Sequence, residues 1–295
     1  MATFTSIPAQ PISRRQFFKT SMCGAAGVAL YSGEIERHWI DVTRRDFKLR
    51  NLPGAFEGLK IAQLSDIHLD EFTEPFLLHD AIDHINRLQP DIVLLTGDYV
   101  TYQLASRDYA VKSSWQCAEM LNTLKCKERY AILGNHDAFL GENEVAAALT
   151  ANQITVLKNS YLPIERRGSR IWLAGLDDTI GGEPDLGVTI PESIRSIAGE
   201  PIVLMCHEPD FVDTILAHPA GKSVDLMLSG HTHGGQVRLP FVGALELPIM
   251  GKKYVKGRFE FGGLQLYVNR GLGTIGVPFR FDCPPEITSI TLRRA

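Results

Sequence analysis

Five apolar runs in this chain each end in a short motif rich in metal-binding side chains, and any fold has to account for all five ends. Leu59–Leu64 leads into Asp66-Ile67-His68, and Asp91–Thr96 into Gly97-Asp98. Tyr130–Leu133 leads into Gly134-Asn135-His136-Asp137, Ile202–Met205 into Cys206-His207-Glu208, and Leu226–Ser229 into Gly230-His231-Thr232-His233. Taken singly, Asp-x-His or Gly-Asp is commonplace. Together they put seven nitrogen and oxygen ligands at the ends of candidate strands, where a sheet delivers them to one edge.

The donor types narrow the chemistry. Imidazole with carboxylate or amide oxygen suits Mn²⁺, Fe, Zn²⁺ or Ni²⁺. The lack of a thiolate ligand argues against a closed structural zinc site. Cys206 adjoins His207, but alternation along a strand sends it to the other face, as a small core residue. Residues two apart in an extended backbone share a face, so Asp66 with His68, and His231 with His233, are each expected to reach one centre. Gly230, Gly234 and Gly235 allow backbone to pass close by. Asp137 either orients the His136 ring and raises its pKa or caps the next helix. His38, His79, His84 and His218 belong to no motif and read as ordinary surface or core residues.

This set resembles the calcineurin-like metallophosphoesterases, whose pattern D-x-H, G-D, G-N-H-[DE], H and G-H-x-H runs in order from about Leu59 to the C-terminus. The resemblance implies an α/β fold of two mixed β-sheets packed as a sandwich flanked by helices. It implies two divalent metal ions, with Mn²⁺ favoured over Zn²⁺, Fe or Ni²⁺. Asp66, His68 and His233 would hold one ion, and Asn135, His207 and His231 the other, with Asp98 bridging. His136 would stay off the metals and assist the leaving group, with Asp137 beside it. Two such ions, about 3.5–4 Å apart, neutralise phosphoester charge and lower the pKa of a water towards 7. A bridging carboxylate offsets their mutual repulsion.

The first half of this region alternates strand and helix. Glu74–Leu88 places Phe76, Leu77, Ala81, Ile82, Ile85 and Leu88 at helical spacing, and Arg107–Leu124 and Glu142–Ala151 read as helices. This is the pattern of crossover units on a parallel sheet. Later, Arg167-Gly168 separates two runs that read as a hairpin. At 295 residues the chain has room for one large domain, 59–295, after an extension 32–58 whose Arg44–Leu49 stretch alternates as an edge strand leading into Leu59–Leu64.

Residues 1–31 read as an export signal. Ser13-Arg14-Arg15-Gln16-Phe17-Phe18-Lys19 matches the twin-arginine consensus, and the apolar stretch Thr20–Tyr31 is too short to span a bilayer. Gly27-Val28-Ala29 offers a cleavage site, and without cleavage the segment is a membrane tether. The expected location is the periplasm, the cell wall or the outer face of the cytoplasmic membrane, reached through the twin-arginine translocation machinery. A protein that folds before export needs no disulfides, so Cys23, Cys117, Cys126, Cys206 and Cys283 are expected as free thiols. The net charge of −4, with no basic run in the body, gives no electrostatic footprint for a nucleic-acid partner.

Three loops bear on substrate: Leu69–Pro75 with its acidic residues, Tyr99–Tyr102, and Asn269–Arg280. Arg270 is the candidate phosphate binder and Tyr99 the candidate flank for a headgroup or base. Apolar Leu272, Ile275, Val277 and Phe279 suit an acyl chain or a core loop equally. The C-terminal pattern is similar to a membrane-associated bacterial branch of the family that includes exported phosphodiesterases and enzymes of nucleotide-linked lipid precursors. The resemblance therefore implies a phosphodiesterase or pyrophosphatase at the cell envelope, with a substrate that is in some members lipid-linked. The alternatives are a phosphomonoesterase of the same fold and a non-catalytic metal-binding scaffold, which would usually have lost His136 or a ligand.

Overall fold

The computed structural model describes residues 13–70, 73–102 and 106–295. The strands β1 (Asp41–Leu49), β2 (Lys60–Leu64), β3 (Ile92–Thr96), β4 (Arg129–Ile132) and β5 (Thr155–Val156) come first. They are followed by β6 (Ser160–Arg166), β7 (Ser169–Gly175), β8 (Ile202–Met205) and β9 (Val224–Ser229). A small hairpin of β10 (Arg238–Leu239) and β11 (Gly243–Ala244) precedes β12 (Gly257–Phe261), β13 (Leu264–Val268) and β14 (Glu286–Arg294). The longer helices are α1 (Arg14–Leu30), α2 (Pro75–Leu88), α3 (Arg107–Leu121) and α4 (Asn135–Ala151).

Two six-stranded mixed sheets result, ordered β1-β14-β2-β3-β4-β5 and β12-β13-β9-β8-β7-β6. In the first, β2, β3, β4 and β5 run parallel, as the alternation of strand and helix predicts. In the second, β7, β8, β9 and β13 run parallel. Alternate residues of the strands face opposite ways, which is why these runs are apolar throughout. Ile61, Leu94 and Ile132 of the first sheet meet Leu173, Val203 and Leu228 of the second in the sandwich interior. Ala62, Val93 and Leu95 face outward under α2, α3 and α4. Trp172, Leu204, Cys206 and Met227 build the outer core of the second sheet, so Cys206 is a buried core residue.

β1 is an edge strand whose neighbour is the C-terminal strand β14 in parallel register. One expectation needs adjustment. Phe76 is half exposed and lies against the His38 ring at 5.0 Å, outside the buried face of α2. The hairpin at Arg167-Gly168 forms with both residues in the left-handed region, φ 49° and 77°, the backbone a tight two-residue connection requires. The five cysteines are free.

The twin-arginine stretch opens α1, where Ser13 and Gln16 form a reciprocal cap. No residue of α1 is buried. The first twelve residues of the signal reading, and Glu71 of the acidic loop, lie outside the described residues. Among the described residues no helix is long and apolar enough to cross a membrane. Hydrogen bonding to the body begins at Ser32, whose carbonyl accepts from the Arg280 amide at 3.0 Å, and continues at Glu36, which accepts from the Cys283 amide at 2.6 Å.

Candidate metal centre

All five motifs sit at the carboxyl ends of parallel strands: β2, β3 and β4 of one sheet, β8 and β9 of the other. Hydrogen bonds tie the ends together within each sheet and across the sandwich. The Asp66 amide donates to the Gly97 carbonyl at 2.9 Å, and the Gly230 amide to the His207 carbonyl at 3.1 Å. The His231 amide donates to Asp66 Oδ1 at 2.8 Å, linking the two sheets. A methyl group at Gly134 would run into Asp98 and His207, so only glycine lets β4 turn into α4 here.

The way the motifs turn differs from the extended backbone expected. Asp66, His68, Asp98, His231 and His233 have φ of 50°, 47°, 57°, 71° and 49°. Five of the seven candidate ligands thus occupy the sparsely populated left-handed region, which costs free energy and persists where surrounding structure enforces it. The strands stop before the ligands, and tight loops aim each side chain separately. In consequence His231 and His233 do not share a centre: His233 groups with Asp66 and His68, whereas His231 groups with Asp98 and His207.

Asp98 stands between the groups. Its Oδ2 is 3.1 Å from His207 Nε2 and 3.5 Å from His68 Nε2. Asp66 Oδ1 is 3.6 Å from His233 Nε2 and 4.0 Å from His207 Nε2. Asn135, the first residue of α4, puts Oδ1 2.9 Å from His231 Nδ1. The rings of His68 and His233, and those of His207 and His231, are 4.9 and 5.1 Å apart. Asp66 Oδ2, His68 Nε2 and His207 Nε2 are buried without a hydrogen-bond partner. Buried polar atoms are seldom left so, and three of them converging within one cluster of imidazoles and carboxylates fit a pair of divalent cations.

The other ring nitrogens are already engaged, which fixes what each histidine offers. His207 Nδ1 donates to the Thr96 carbonyl at 2.6 Å, and His231 Nε2 donates to the Ile249 carbonyl at 2.7 Å. His68 Nδ1 bonds the Thr101 hydroxyl at 3.1 Å. Burial pushes His68 down to about 3 and His231 down to about 4. Burial, with His68 and Arg280 nearby, also holds His233 well below the usual range. These are neutral imidazoles, the form that binds metal. Burial pushes Asp66 up to about 6. Burial acts on Asp98 and His207 too, but their mutual attraction outweighs it, lowering the carboxyl and raising the imidazole.

His136 sits in the second position of α4 and lines the cavity, its ring 4.9 Å from that of His68. It also falls in a group with His68 and Asp98. Its Nδ1 accepts the Tyr102 amide at 3.2 Å, which leaves the proton on Nε2. Asp137 does not touch that ring. Its carboxylate accepts from the amides of Asp98, Tyr99 and Gly134 at 2.8, 3.0 and 2.9 Å, so it pins the Asp98 loop to the start of α4.

Two substrate-binding expectations are corrected. Tyr99 is buried, and its hydroxyl donates to the Ile132 carbonyl at 3.0 Å inside the core. Arg270 is held by Glu286 at 2.9 Å and Asp41 at 2.7 Å and does not line the cavity. Both pairings satisfy groups that the sequence left without visible partners. Residues not singled out from sequence also matter. Arg280 is fully buried, bonds the carbonyls of Arg270, Gly273 and Cys283, and brings Nη2 within 3.5 Å of His233 Nδ1. Thr101 fixes the His68 ring. Neither carries a sequence signal beyond proximity to a motif.

Beside His207 in the chain, Glu208 faces Asp178. Burial and Glu208 push the Asp178 carboxyl up to about 8. The folded chain therefore keeps a proton that the unfolded chain, with an Asp pKa near 3.9, releases. The stabilisation is full below about pH 4 and is lost as pH rises through about 8. Asp178→Asn keeps a donor to Glu208 without the titration. In metal-free protein its Tm is expected to fall less than that of wild type between about pH 6 and 9, by at least about 3 °C. Parallel melting curves would rule out this proton.

The ligand cluster forms the floor of a cavity of about 550 Å³. His68, Asp98, Asn135, His136, His231 and His233 line the floor, and Val237, Leu245, Pro248, Ile275 and Val277 line an apolar wall. Thr232, Gly235, Gln236 and Glu246 complete it.

Comparison with known proteins agrees with this geometry. Residues 59–235 match the profile of the calcineurin-like phosphoesterases. An uncharacterized metallophosphoesterase of Bacillus subtilis, YkuE, is 36% identical, covering 96% of this chain and 98% of that protein. The phosphodiesterase YaeI of Escherichia coli is 32% identical, covering 95% and 99%. A Danio rerio transmembrane protein with a metallophosphoesterase domain is 29% identical, covering 85% of this chain and 56% of that protein. Among solved structures, the Haemophilus influenzae NAD nucleotidase shares the fold with a TM-score of 0.50 at 16% identity, covering 72% of this chain and 45% of the nucleotidase.

Proposed function

Because the chain belongs to the calcineurin-like phosphoesterase family, we propose that it is a phosphodiesterase dependent on two divalent metal ions, working at the cell envelope. The observation that carries the reading is Asp98 Oδ2, set 3.1 Å from His207 Nε2 and 3.5 Å from His68 Nε2 between two ligand groups. Asp66, His68 and His233 would hold one ion, Asn135, His207 and His231 the other, and Asp98 both. Bound there, the ions supply charge neutralisation at the phosphate and lower the pKa of a water. The chain's own residues orient the substrate and move the proton. His136 Nε2–H is the donor facing the reaction, and it protonates the departing oxygen. Asp137 positions Asp98 through the backbone bonds it accepts.

Diesters are favoured over monoesters by the lining. Among the described residues the cavity has no lysine or arginine to meet the second negative charge of a monoester. Its apolar wall suits a second ester substituent, a lipid-linked one included. The E. coli relative bears the name phosphodiesterase, which supports the same choice. Manganese is the favoured metal by likeness to the family, and the donor set of imidazole and oxygen without thiolate admits it alongside Fe, Zn²⁺ and Ni²⁺.

The envelope location rests on the twin-arginine stretch, set on an exposed helix where translocation machinery can reach it. Fractionation of cells carrying wild type and an Arg14→Lys/Arg15→Lys chain decides it, since an unchanged distribution would remove the export reading.

The activity test is hydrolysis after chelation and metal add-back. Mn²⁺ is expected to restore turnover of bis-p-nitrophenyl phosphate, exceeding that of p-nitrophenyl phosphate by at least roughly tenfold in kcat/KM. A reversed preference would establish the phosphomonoesterase. Folded protein inactive on both with every metal would return the scaffold reading.

A further inference from the structure

We propose that the segment Leu239–Ile249, on the rim of the metal cavity, is a membrane-docking edge that seats the cavity mouth on an anionic lipid surface. The inference deepens the reading above and rests on it only for what enters the cavity.

From Leu239 to Met250 the chain carries one charged residue, Glu246. Such a run normally packs into a core, yet here it stands in solvent. Phe241 is 110% exposed, Val242 68%, Leu245 58% and Ile249 68%. Single exposed apolar residues are ordinary, but a cluster of this kind marks a surface built to meet something apolar. The β10–β11 register pairs Leu239 with Gly243, which puts Pro240, Phe241 and Val242 at the hairpin tip. Phe241 is held there at φ 65°, a conformation that bulky residues avoid.

The same segment reaches the site. Leu245 and Pro248 line the cavity, and the Ile249 carbonyl accepts from His231 Nε2 at 2.7 Å. Whatever covers the tip therefore stands at the cavity mouth.

Two observations favour a bilayer over a protein partner or a second copy. The first is charge. Residues 236–258 contain Arg238, Lys252, Lys253, Lys256 and Arg258 against the single Glu246; Lys253 pairs with Asp213 and Arg258 with Glu260, which leaves Arg238, Lys252 and Lys256 to face anionic headgroups. Basic residues flanking exposed aromatic and aliphatic groups are the make-up of a segment that inserts shallowly among anionic headgroups. The second is continuity with α1. That helix carries Arg14, Arg15 and Lys19 with no acidic residue, and its Phe17, Phe18, Met22 and Leu30 are all more than half exposed. It joins the body beside the hairpin: the Tyr31 ring meets Phe281 edge-on at 6.3 Å, and Phe281 pairs with Val237 at the hairpin base. Two apolar, basic-flanked features, one N-terminal and one at the hairpin, thus both meet Phe281. A substrate with an apolar substituent would then enter from the membrane along the wall of Val237, Leu245, Ile275 and Val277.

The test is co-sedimentation of the full-length, manganese-loaded protein with phosphatidylcholine vesicles, with and without phosphatidylglycerol. Wild type is expected to bind the anionic vesicles, and Phe241→Asp/Val242→Asp to lose at least about tenfold in partitioning. Bis-p-nitrophenyl phosphate hydrolysis should stay within about twofold, because the tip touches nothing in the site. As a second readout independent of that charged variant, Phe241→Trp should be quenched by brominated lipids. Vesicle binding unchanged by the double substitution would assign any membrane contact to α1 alone and overturn the proposal. So would no binding by wild type, or a lipid-free dimer dissolved by the same substitutions. Retained vesicle binding without hydrolysis of any phosphoester would remove the phosphodiesterase reading and leave the docking edge standing.

Discussion

Asp98→Asn is expected to lower turnover of a diester by at least about 10³-fold and to reduce the bound metal from two equivalents to one or fewer. The rate figure corresponds to about 4 kcal/mol at 1.36 kcal/mol per tenfold, within the several kcal/mol a metal supplies by stabilising charge in the transition state. The substitution keeps the shape of the side chain and the oxygen that accepts the His136 amide at 2.9 Å. What it removes is the negative charge at Oδ2, the atom facing both His68 and His207. The neutral amide group that takes the place of Oδ2 cannot offset the repulsion between two dications held close together. His207 loses the carboxylate that does most to raise its pKa, so its imidazole becomes neutral at lower pH. Metal analysis beside kinetics checks the result. Two full equivalents, with more than about a tenth of the activity, would show that another residue bridges.

How the site could be read from sequence is clearest where the reading failed. Asp66, His68, His207, His231 and His233 were visible because strands end in them, and parallel strands gather their ends. Extended alternation does not explain how Asp66, His68, His231 and His233 are aimed, because alternation describes strands and these four stand just past them with φ near 50–70°. No local pattern distinguishes a strand's last residue from the first residue of a strained loop. Arg270 was misread for another reason. Its partner Asp41 lies 229 positions away, and β14 brings them together by pairing with β1. A basic residue among glycines looks like an anion site until the carboxylates that neutralise it are placed. Tyr99 failed likewise, since the carbonyl its hydroxyl meets belongs to β4, another strand. The two-sheet architecture was legible through family likeness and the apolar runs. The parallel pairing of the first and last strands was not, because it depends on contacts between the ends of the chain.

His136→Ala is expected to cost at least about 10²-fold in turnover while leaving two metal equivalents in place. Retention follows from the geometry: the ring's Nδ1 is taken by the Tyr102 amide, and the groups around Asp66 and Asp98 are complete without it. The size of the loss should depend on the leaving group. A nitrophenolate departs readily without a proton, whereas an alkoxide needs one, and the benefit of a general acid grows with leaving-group pKa. Bis-p-nitrophenyl phosphate should therefore lose less than a diester with an alkyl leaving group, and the ratio between the two losses measures proton donation. A loss equal for both substrates would mean that His136 acts only by hydrogen bonding the phosphate. Undiminished turnover with the alkyl ester would remove it from the reaction. The dependence on leaving group also separates His136 from Asp98: removing the bridging charge weakens attack on every diester alike, whereas removing the donor penalises only those that need its proton.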